Sequence, residues 1–261
     1  IDHLDVYSDA ASLQDAYEEF ASQVKGSLFV EKNIPLKGIT YSVSEEADFY
    51  IDGIRPDASG SYFDLHTPDG VYRNQFFNQL GMHNLSNALV ALAMASKSGL
   101  LVEDLTKSLA SFPGIERRLQ VLINEKNRVL IDDYAHHPTE IKAVYETLKL
   151  SFPADEKCVV FQPHLFSRTQ DFMTDFAVVL SLFDRVLLLD IYPARELPIE
   201  GVSSGVLKEM ISGPSVELIA KKELANRLSL VDERIIVLLG AGDIGIEVEG
   251  IKHKLLYNEA L

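Results

Sequence analysis

Residues 130–141 read LIDDYAHHPTEI. An apolar, strand-like run stops at Asp132 and Asp133, Tyr134, His136 and His137 follow, and Pro138 opens a helix-like stretch. Pro138 in a first helical turn needs no amide partner, and Glu140 close behind it favours the positive end of a helix dipole. The stretch therefore reads as a strand-to-helix corner. A zinc site is a weaker reading, because adjacent histidines do not face the same way on a regular element. No further Cys or His stands at metal-ligand spacing either.

Outward from this corner the same rhythm repeats. LQVLIN and RVLID flank Glu125-Lys126-Asn127 as a hairpin, and KCVVFQ, DRVLLLD, VELI and RIIVLLG read as further strands. PTEIKAVYETLKL and RTQDFMTDFAVVLSLF read as helices between them. Short, wholly apolar strands separated by amphipathic helices call for a mostly parallel sheet covered on both faces. An α/β fold with a Rossmann-like sheet is expected over residues 112–261. Residues 1–111 form a different unit, with the boundary between Phe112 and Arg118. There SLQDAYEEFASQV carries a capping pattern (Ser12, Asp15) and an apolar face of Leu13, Tyr17, Phe20 and Val24. SLFVEK, GITYSV and DFYIDGI read as strands, and SYFDLHTPDGVYRNQFF as a hairpin turning at Pro68-Asp69-Gly70. HNLSNALVALAMASKSG reads as a buried helix stopped by Gly99, and VEDLTKSLASF as a second helix.

In a doubly wound sheet, ligands bind beyond the carboxyl ends of the strands. Four strand ends deliver polar residues there: Asp132 to His137; Gln162, His164 and Arg168; Asp190, Tyr192 and Arg195; and GAGDIG at 240–245. Four such loops favour one shared site. GAGDIG fits a dinucleotide fingerprint. Only 16 residues follow Gly245 in the sequence, so no second βα unit is expected to supply a ribose-binding acid. A tight turn of Gly240 and Gly242, with Asp243 at a helix start and backbone amides aimed at a ligand, is the preferred reading; a plain turn is the alternative. Arg117-Arg118 is either a solvated pair or a fork for phosphate at a domain junction. His83 and Asn87 stand at i and i+4, suited to a base edge, or else this is a helix start capped near Asn84. His3, between two acids, is ordinarily structural.

The totals set outer limits. The chain has 261 residues, 47% of them hydrophobic, and a net charge of -15. That charge disfavours non-specific binding to nucleic acid or an anionic membrane, while local arginines can still hold a small anion. No apolar run approaches a membrane span, and the first residues lack a signal peptide's pattern. One cysteine, Cys158, fits a reducing, cytoplasmic compartment. A start at Ile1 rather than methionine points to a piece of a longer chain.

Taken in order, DHLDVY, GMHNLSNALVALAMA, FPGIERR, DDYAHHPTE, FQPHLFSRT, DIYPARELPIEGVSS and GAGDIG resemble the Mur ligases of bacterial cell-wall synthesis. The resemblance spans nearly the whole chain. It implies the rear part of a mononucleotide-binding central domain followed by a complete C-terminal domain, without the P-loop, for which no G-x-x-G-K-[ST] is present. It also implies ATP-dependent joining of a carboxylate to an amine through an acyl phosphate, with ATP and Mg2+ required. The motifs are most like those of members that join L-alanine to UDP-N-acetylmuramate; members that recycle the murein tripeptide are the alternative. A piece without the P-loop is expected to be inactive alone. Outside the family, an NAD-dependent oxidoreductase or a non-catalytic binding module are the competing classes.

Residue by residue, the resemblance places His3 at the magnesium ion. His83, Asn84 and Asn87 fall near adenine, Arg118 at the nucleotide phosphates and Asp133 near the ribose. Tyr134, His136, His164 and Arg168 fall around the amino acid, with His136 and Arg168 in catalytic positions. Many alanine-adding members carry a second arginine where Leu165 stands here, which shifts carboxylate recognition to Arg168.

Overall fold

The computed structural model describes residues 9–257. The chain divides into two units, each with its own sheet and core. The first takes in the described residues up to Pro56, with Gly60–Asn78 and Met82–Phe112; the second takes Asp57–Ser59, Gln79–Gly81 and the described residues from Pro113 on.

The first unit begins with α1 (Ala10–Gln23). Its capping box lies earlier than the sequence pattern placed it. Asp9 is the N-cap and accepts from the Ser12 amide, while Ser12 Oγ lies near the Asp9 amide in return. Aspartate is among the best N-cap residues, so it takes the position and leaves Ser12 in the first turn. Val24 ends the helix in an extended conformation rather than extending its apolar face, and Tyr17 and Phe20 are exposed. Five strands follow: β1 (Phe29–Glu31), β2 (Ile39–Ser42), β3 (Phe49–Pro56), β4 (Ser61–Thr67) and β5 (Gly70–Phe77). They lie in sequence order, the first three parallel and the last three antiparallel. α2 (Met82–Lys97) and α3 (Val102–Ala110) complete the unit. Leu85, Leu89 and Leu92 of α2 pack with Phe49, Ile51, Phe63 and Leu65 of the sheet. Alternation along β4 supplies that face: Phe63 and Leu65 are buried, Tyr62 is exposed. Gly99, at φ +94, ends the helix where a side chain would strain the backbone.

The second unit is a six-stranded sheet. Its strands are β6 (Gln120–Asn124), β7 (Val129–Asp133), β8 (Lys157–Phe161), β9 (Arg185–Leu188), β10 (Ser215–Leu218) and β11 (Ile235–Leu239), in the order β10-β9-β8-β11-β7-β6. Only β6, the hairpin partner of β7, runs antiparallel. β7, β8 and β11 are buried along their whole length. Their residues alternate between two cores. α4 (Pro138–Ser151), α6 (Met173–Leu180) and α7 (Ser204–Met210) cover one face, over Ile131, Val159, Phe161, Leu188 and Val237. α8 (Lys221–Leu228) and α9 (Ile244–Tyr257) cover the other, over Leu130, Cys158, Val160, Leu187 and Ile236. Each such fully buried aliphatic or aromatic side chain contributes about 1.5–3 kcal/mol.

The stretch expected to form one long helix from Arg168 is two, α5 (Phe166–Asp171) and α6. Phe172 breaks them, with ψ near 17°, and its ring meets that of His137 edge-on at 4.5 Å. Two features of this sheet position the site. Asp133, Leu239, Phe161 and Leu188 stand side by side in register, so the carboxyl ends of β7, β11, β8 and β9 are flush. The neighbours β8 and β11 then lead to helices on opposite faces, which makes their junction a topological switch point. No helix among the described residues is long and apolar enough to cross a membrane.

Candidate active site

Asp132 and Asp133 are the last residues of β7, not the first of the loop, and both are buried. They point to opposite sides because strand residues alternate. Asp133 accepts from the Leu119 amide with one oxygen and from the Ala135 amide with the other, each at 2.7 Å. The first bond ties the residue before β6 to the end of β7, and the second shapes the corner itself. Tyr134 follows, exposed, and then His136, whose Nδ1 lies 2.9 Å from the Tyr134 carbonyl and 3.5 Å from Glu140. Both neighbours are acceptors, so Nδ1 carries the proton and Nε2 is left to accept.

His137 is the N-cap of α4. Its ring accepts from the Thr139 amide, and Glu140 accepts from the amides of His136 and His137. Two of the amides that a helix start leaves without partners, those of His137 and Thr139, are thereby satisfied, and so is the His136 amide just before them. The double histidine thus divides: His137 builds the helix and His136 is presented by it.

After β8 the chain runs through buried Gln162 and Pro163 to His164 and Leu165, the latter at φ +71. Leu165 donates to the Tyr192 carbonyl and Tyr192 donates to the Pro163 carbonyl, so the loops after β8 and β9 continue the sheet as a parallel bridge. Arg168, in α5, brings Nη1 to 3.5 Å from His164 Nδ1. Glu196 accepts from both the amide and the hydroxyl of Ser167 and so fixes the start of α5. Burial lowers the His164 pKa, and the charges of Arg168 and His136 lower it further against the pull of Glu196.

The aromatic rings link three loops. Tyr134 meets His136 edge-on at 5.5 Å, His136 meets His164 at 6.2 Å, and His164 stacks on Tyr192 at 5.6 Å. The residues expected around the amino acid, Tyr134, His136, His164 and Arg168, therefore form one cluster at the carboxyl edge.

The fourth loop lies against the third. A Cβ on Gly242 would stand 2.5 Å from Gln162 Oε1 and 2.8 Å from Tyr192, and one on Gly240 would stand 2.7 Å from the Gln162 carbonyl. The glycines admit these neighbours. Gln162 accepts from the Ile244 amide at the start of α9 and donates to Asp243, which also binds Lys221. Burial raises the Asp243 carboxyl, but the hydrogen bonds from Lys221 and Gln162 and the Lys221 charge together outweigh it and hold it below its usual range. Gln162, Asp190, Tyr192, Lys221 and Asp243 line a cavity of about 260 Å³ here. Lys221 was not among the residues expected here; it opens α8 just beyond β10, a further parallel strand whose end reaches the same edge.

Arg117 and Arg118 have different surroundings. Arg118 is exposed, while Arg117 turns inward beside Asp132 and under the Tyr134 ring. In the first unit, His83 and Asn87 are exposed in α2 and Asn84 is half-buried beside them. His3 lies outside the described residues. Among the described residues no three His, Cys, Asp or Glu side chains gather in a way that could hold a metal ion.

Two family models match the chain in order: the Mur ligase middle domain over residues 2–95, and the Mur ligase glutamate ligase domain over residues 117–242. The chain belongs to the Mur ligase family. Among Mur ligases, it is 48% identical to the UDP-N-acetylmuramate–L-alanine ligase of Christiangramia forsetii, over 98% of this chain and 57% of that protein. It is also 48% identical to the enzyme of the same name from Flavobacterium psychrophilum, over 97% of this chain and 57% of that protein. The chain thus spans somewhat over half the length of these curated relatives. Its fold matches the crystal structure of the UDP-N-acetylmuramate–alanine ligase from Thermotoga maritima with a TM-score of 0.80, covering 100% of this chain and 58% of that one, at 21% identity.

Proposed function

We propose that this chain is the nucleotide-facing and amino-acid-binding part of a Mur ligase that joins L-alanine to UDP-N-acetylmuramate. In that reaction ATP transfers its γ-phosphoryl group to the muramyl carboxylate, releasing ADP. The alanine nitrogen attacks the acyl carbon, loses a proton, and inorganic phosphate leaves as the amide forms. The observation that carries this reading is the cluster of Tyr134, His136, His164 and Arg168 on three adjacent loops. It occurs in a chain whose similarity to alanine-adding ligases runs almost end to end.

The cluster suits an amino acid. The Arg168 guanidinium neutralises the alanine carboxylate, and the half-buried histidine rings surround a small side chain. A neutral His164 adds no competing charge against the incoming ammonium group. His83, Asn84 and Asn87 carry donors and acceptors suited to an adenine edge, Arg118 is an exposed cation suited to phosphate, and Asp133 is the acid assigned to the ribose. Both Asp133 oxygens already accept an amide, so any contact with a ribose uses their remaining lone pairs. His3 is the residue assigned to Mg2+, a hard ion that the described acids do not cage. The Gly240–Asp243 turn acts as framework, its space filled by Gln162 and Tyr192.

The test is phosphate release from ATP by a chain extended to the full length of its relatives. Release should need both UDP-N-acetylmuramate and L-alanine. Equal or better turnover with the murein tripeptide in place of alanine would reassign the protein to the recycling reaction.

A further inference from the structure

Arg117 belongs to no assigned role, yet both its backbone and its side chain are tied to other elements at this edge. Its backbone sits at φ +58, and that of Leu119 at +46. A non-glycine residue there is strained and persists only where the surroundings over-determine it. Those surroundings are visible. The Arg117 amide donates to Gln120 at 3.1 Å, and its carbonyl accepts from the Tyr134 amide at 2.8 Å. Its Nη2 donates to the Gly240 carbonyl, and Nε lies 3.3 Å from Asp132 Oδ2. Its guanidinium carbon lies 4.9 Å from the centre of the Tyr134 ring. A Cβ on Gly245 would press on the guanidinium at 3.0 Å, so that glycine makes room for it.

Tyr134 is therefore gripped twice by one residue, through its amide and through the face of its ring. A cation under an aromatic face is attracted by the ring's quadrupole, more strongly as the pair is desolvated. Asp132 supplies the counter-charge, but the pair is not fully matched. Among the described residues, neither Asp132 Oδ1 nor Arg117 Nε has a well-aligned hydrogen bond, although Nε and Oδ2 are close enough to attract as charges.

We propose that Arg117 is a positioning residue: anchored on Asp132 and the Gly240 carbonyl, it sets the place of the Tyr134 ring at the mouth of the amino-acid site. This rests on the reading of Tyr134 as part of that site. The anchor is also sensitive to acid. Burial pushes the Asp132 carboxyl up to about 6, with Arg117 pulling it down and Asp133 adding to the rise. The charged groups at Asp132 are Arg117 and, on its own strand, Asp133; His136 is the titratable group at the Tyr134 ring. Protonating Asp132 removes the charge that holds Arg117, and the ring loosens.

Two experiments test this. The chain contains no tryptophan, so Tyr134→Trp introduces a single fluorescent reporter that keeps the cation–π contact. Nanosecond anisotropy decay should show a held indole at pH 7.5 and a freer one in Arg117→Met, with Arg117→Lys between them. On lowering the pH to 5 the indole should loosen; Asp132→Asn should abolish that step and His136→Gln should not. An unchanged decay in Arg117→Met, or a pH step that survives Asp132→Asn and disappears in His136→Gln, would overturn the proposal. If Arg117→Met does not fold, as judged by far-UV circular dichroism, Arg117→Lys and Asp132→Asn decide the matter.

In the full-length enzyme, Arg117→Lys should raise KM for alanine about 3–10-fold with kcat within about twofold, the equivalent of weakening one such contact. Arg168→Ala is the control. A raised KM in Arg168→Ala with none in Arg117→Lys overturns the positioning role alone. No effect in either rejects the assignment of the site, and the anisotropy result then stands as the test of the grip on Tyr134.

Discussion

The rings of His164 and Tyr192 stack at 5.6 Å with their planes 17° apart, and their backbones pair as a parallel bridge beyond the ends of β8 and β9. Neither residue belongs to a named strand, yet together they extend the sheet by one rung. That rung holds His164 in place while Arg168, four residues on, approaches its Nδ1. Tyr192 also closes over Gly242, so one side chain separates the histidine cluster from the cavity beside Asp190 and Lys221. The site is rigid on this side because backbone bonds, not side-chain contacts alone, position it.

Arg168→Ala in a full-length enzyme should raise KM for L-alanine by about 10–100-fold, since a charge-assisted bond to a carboxylate is worth roughly 1.5–3 kcal/mol. The effect on kcat should be smaller. Steady-state kinetics with alanine varied at saturating ATP decides it, and an unaltered KM rejects the assignment. Leu165, beside His164, carries no charge and cannot compensate.

The pH response of His164 should be visible by NMR. Its folded pKa lies below the usual 6.5, so its imidazole should stay neutral to a lower pH than an exposed histidine. Burial is the main cause and Arg168 the next. Arg168→Ala should therefore move the midpoint up only part of the way. A midpoint above 6.5 in the unmodified chain would contradict the burial seen here.

Asp132 should make the protein less stable as pH rises from about 4 to about 6. Its folded pKa, about 6, lies above the unfolded value of 3.8. Between them the folded state holds a proton that the unfolded state has lost, so folding weakens with rising pH and the effect levels off above 6. About two pKa units correspond to roughly 3 kcal/mol at most. Acids held low, such as Asp243, work in the opposite direction at lower pH. Urea unfolding of Asp132→Asn beside the parent at pH 4.5, 5.5 and 7 isolates the slope, and parallel curves would count against it.

Gly242→Ala should destabilise the second unit by about 1–3 kcal/mol, the usual cost of overpacking. Its methyl group would meet Gln162 Oε1 and Tyr192 at once. Gln162 would have to release the Ile244 amide or Asp243. Thermal unfolding measures the loss; Gly250→Ala, where nothing lies near, is the matched control.

Much of this arrangement was legible in the residues themselves. Strands such as VLIDD, KCVVF and IIVLL are apolar without alternation because both their faces are covered, and that pattern is local. Pro138 and Glu140 announced the start of α4, and Gly99 the end of α2, because helix ends are built from nearby residues. The motifs also placed Tyr134, His136, His164 and Arg168 after strands that share one direction. Other features were hidden. The insertion of β11 between β7 and β8 depends on which face each helix covers, and strand periodicity is the same for every order. The break at Phe172 arises where its ring meets His137, 35 positions away.

The sequence by itself determined that two α/β units form, where most strands and helices begin, and which strand ends lead into polar loops, because those depend on the burial of faces and the chemistry of chain ends. Only the tertiary structure decided that His137 is framework and His136 is presented, that Asp133 turns to backbone amides while Asp132 meets Arg117, and that Arg117 rather than Arg118 lies under Tyr134. The physical reason is the same in each case. Adjacent residues of like type differ only in the direction their side chains leave the backbone, and that direction acquires meaning when distant elements pack around it.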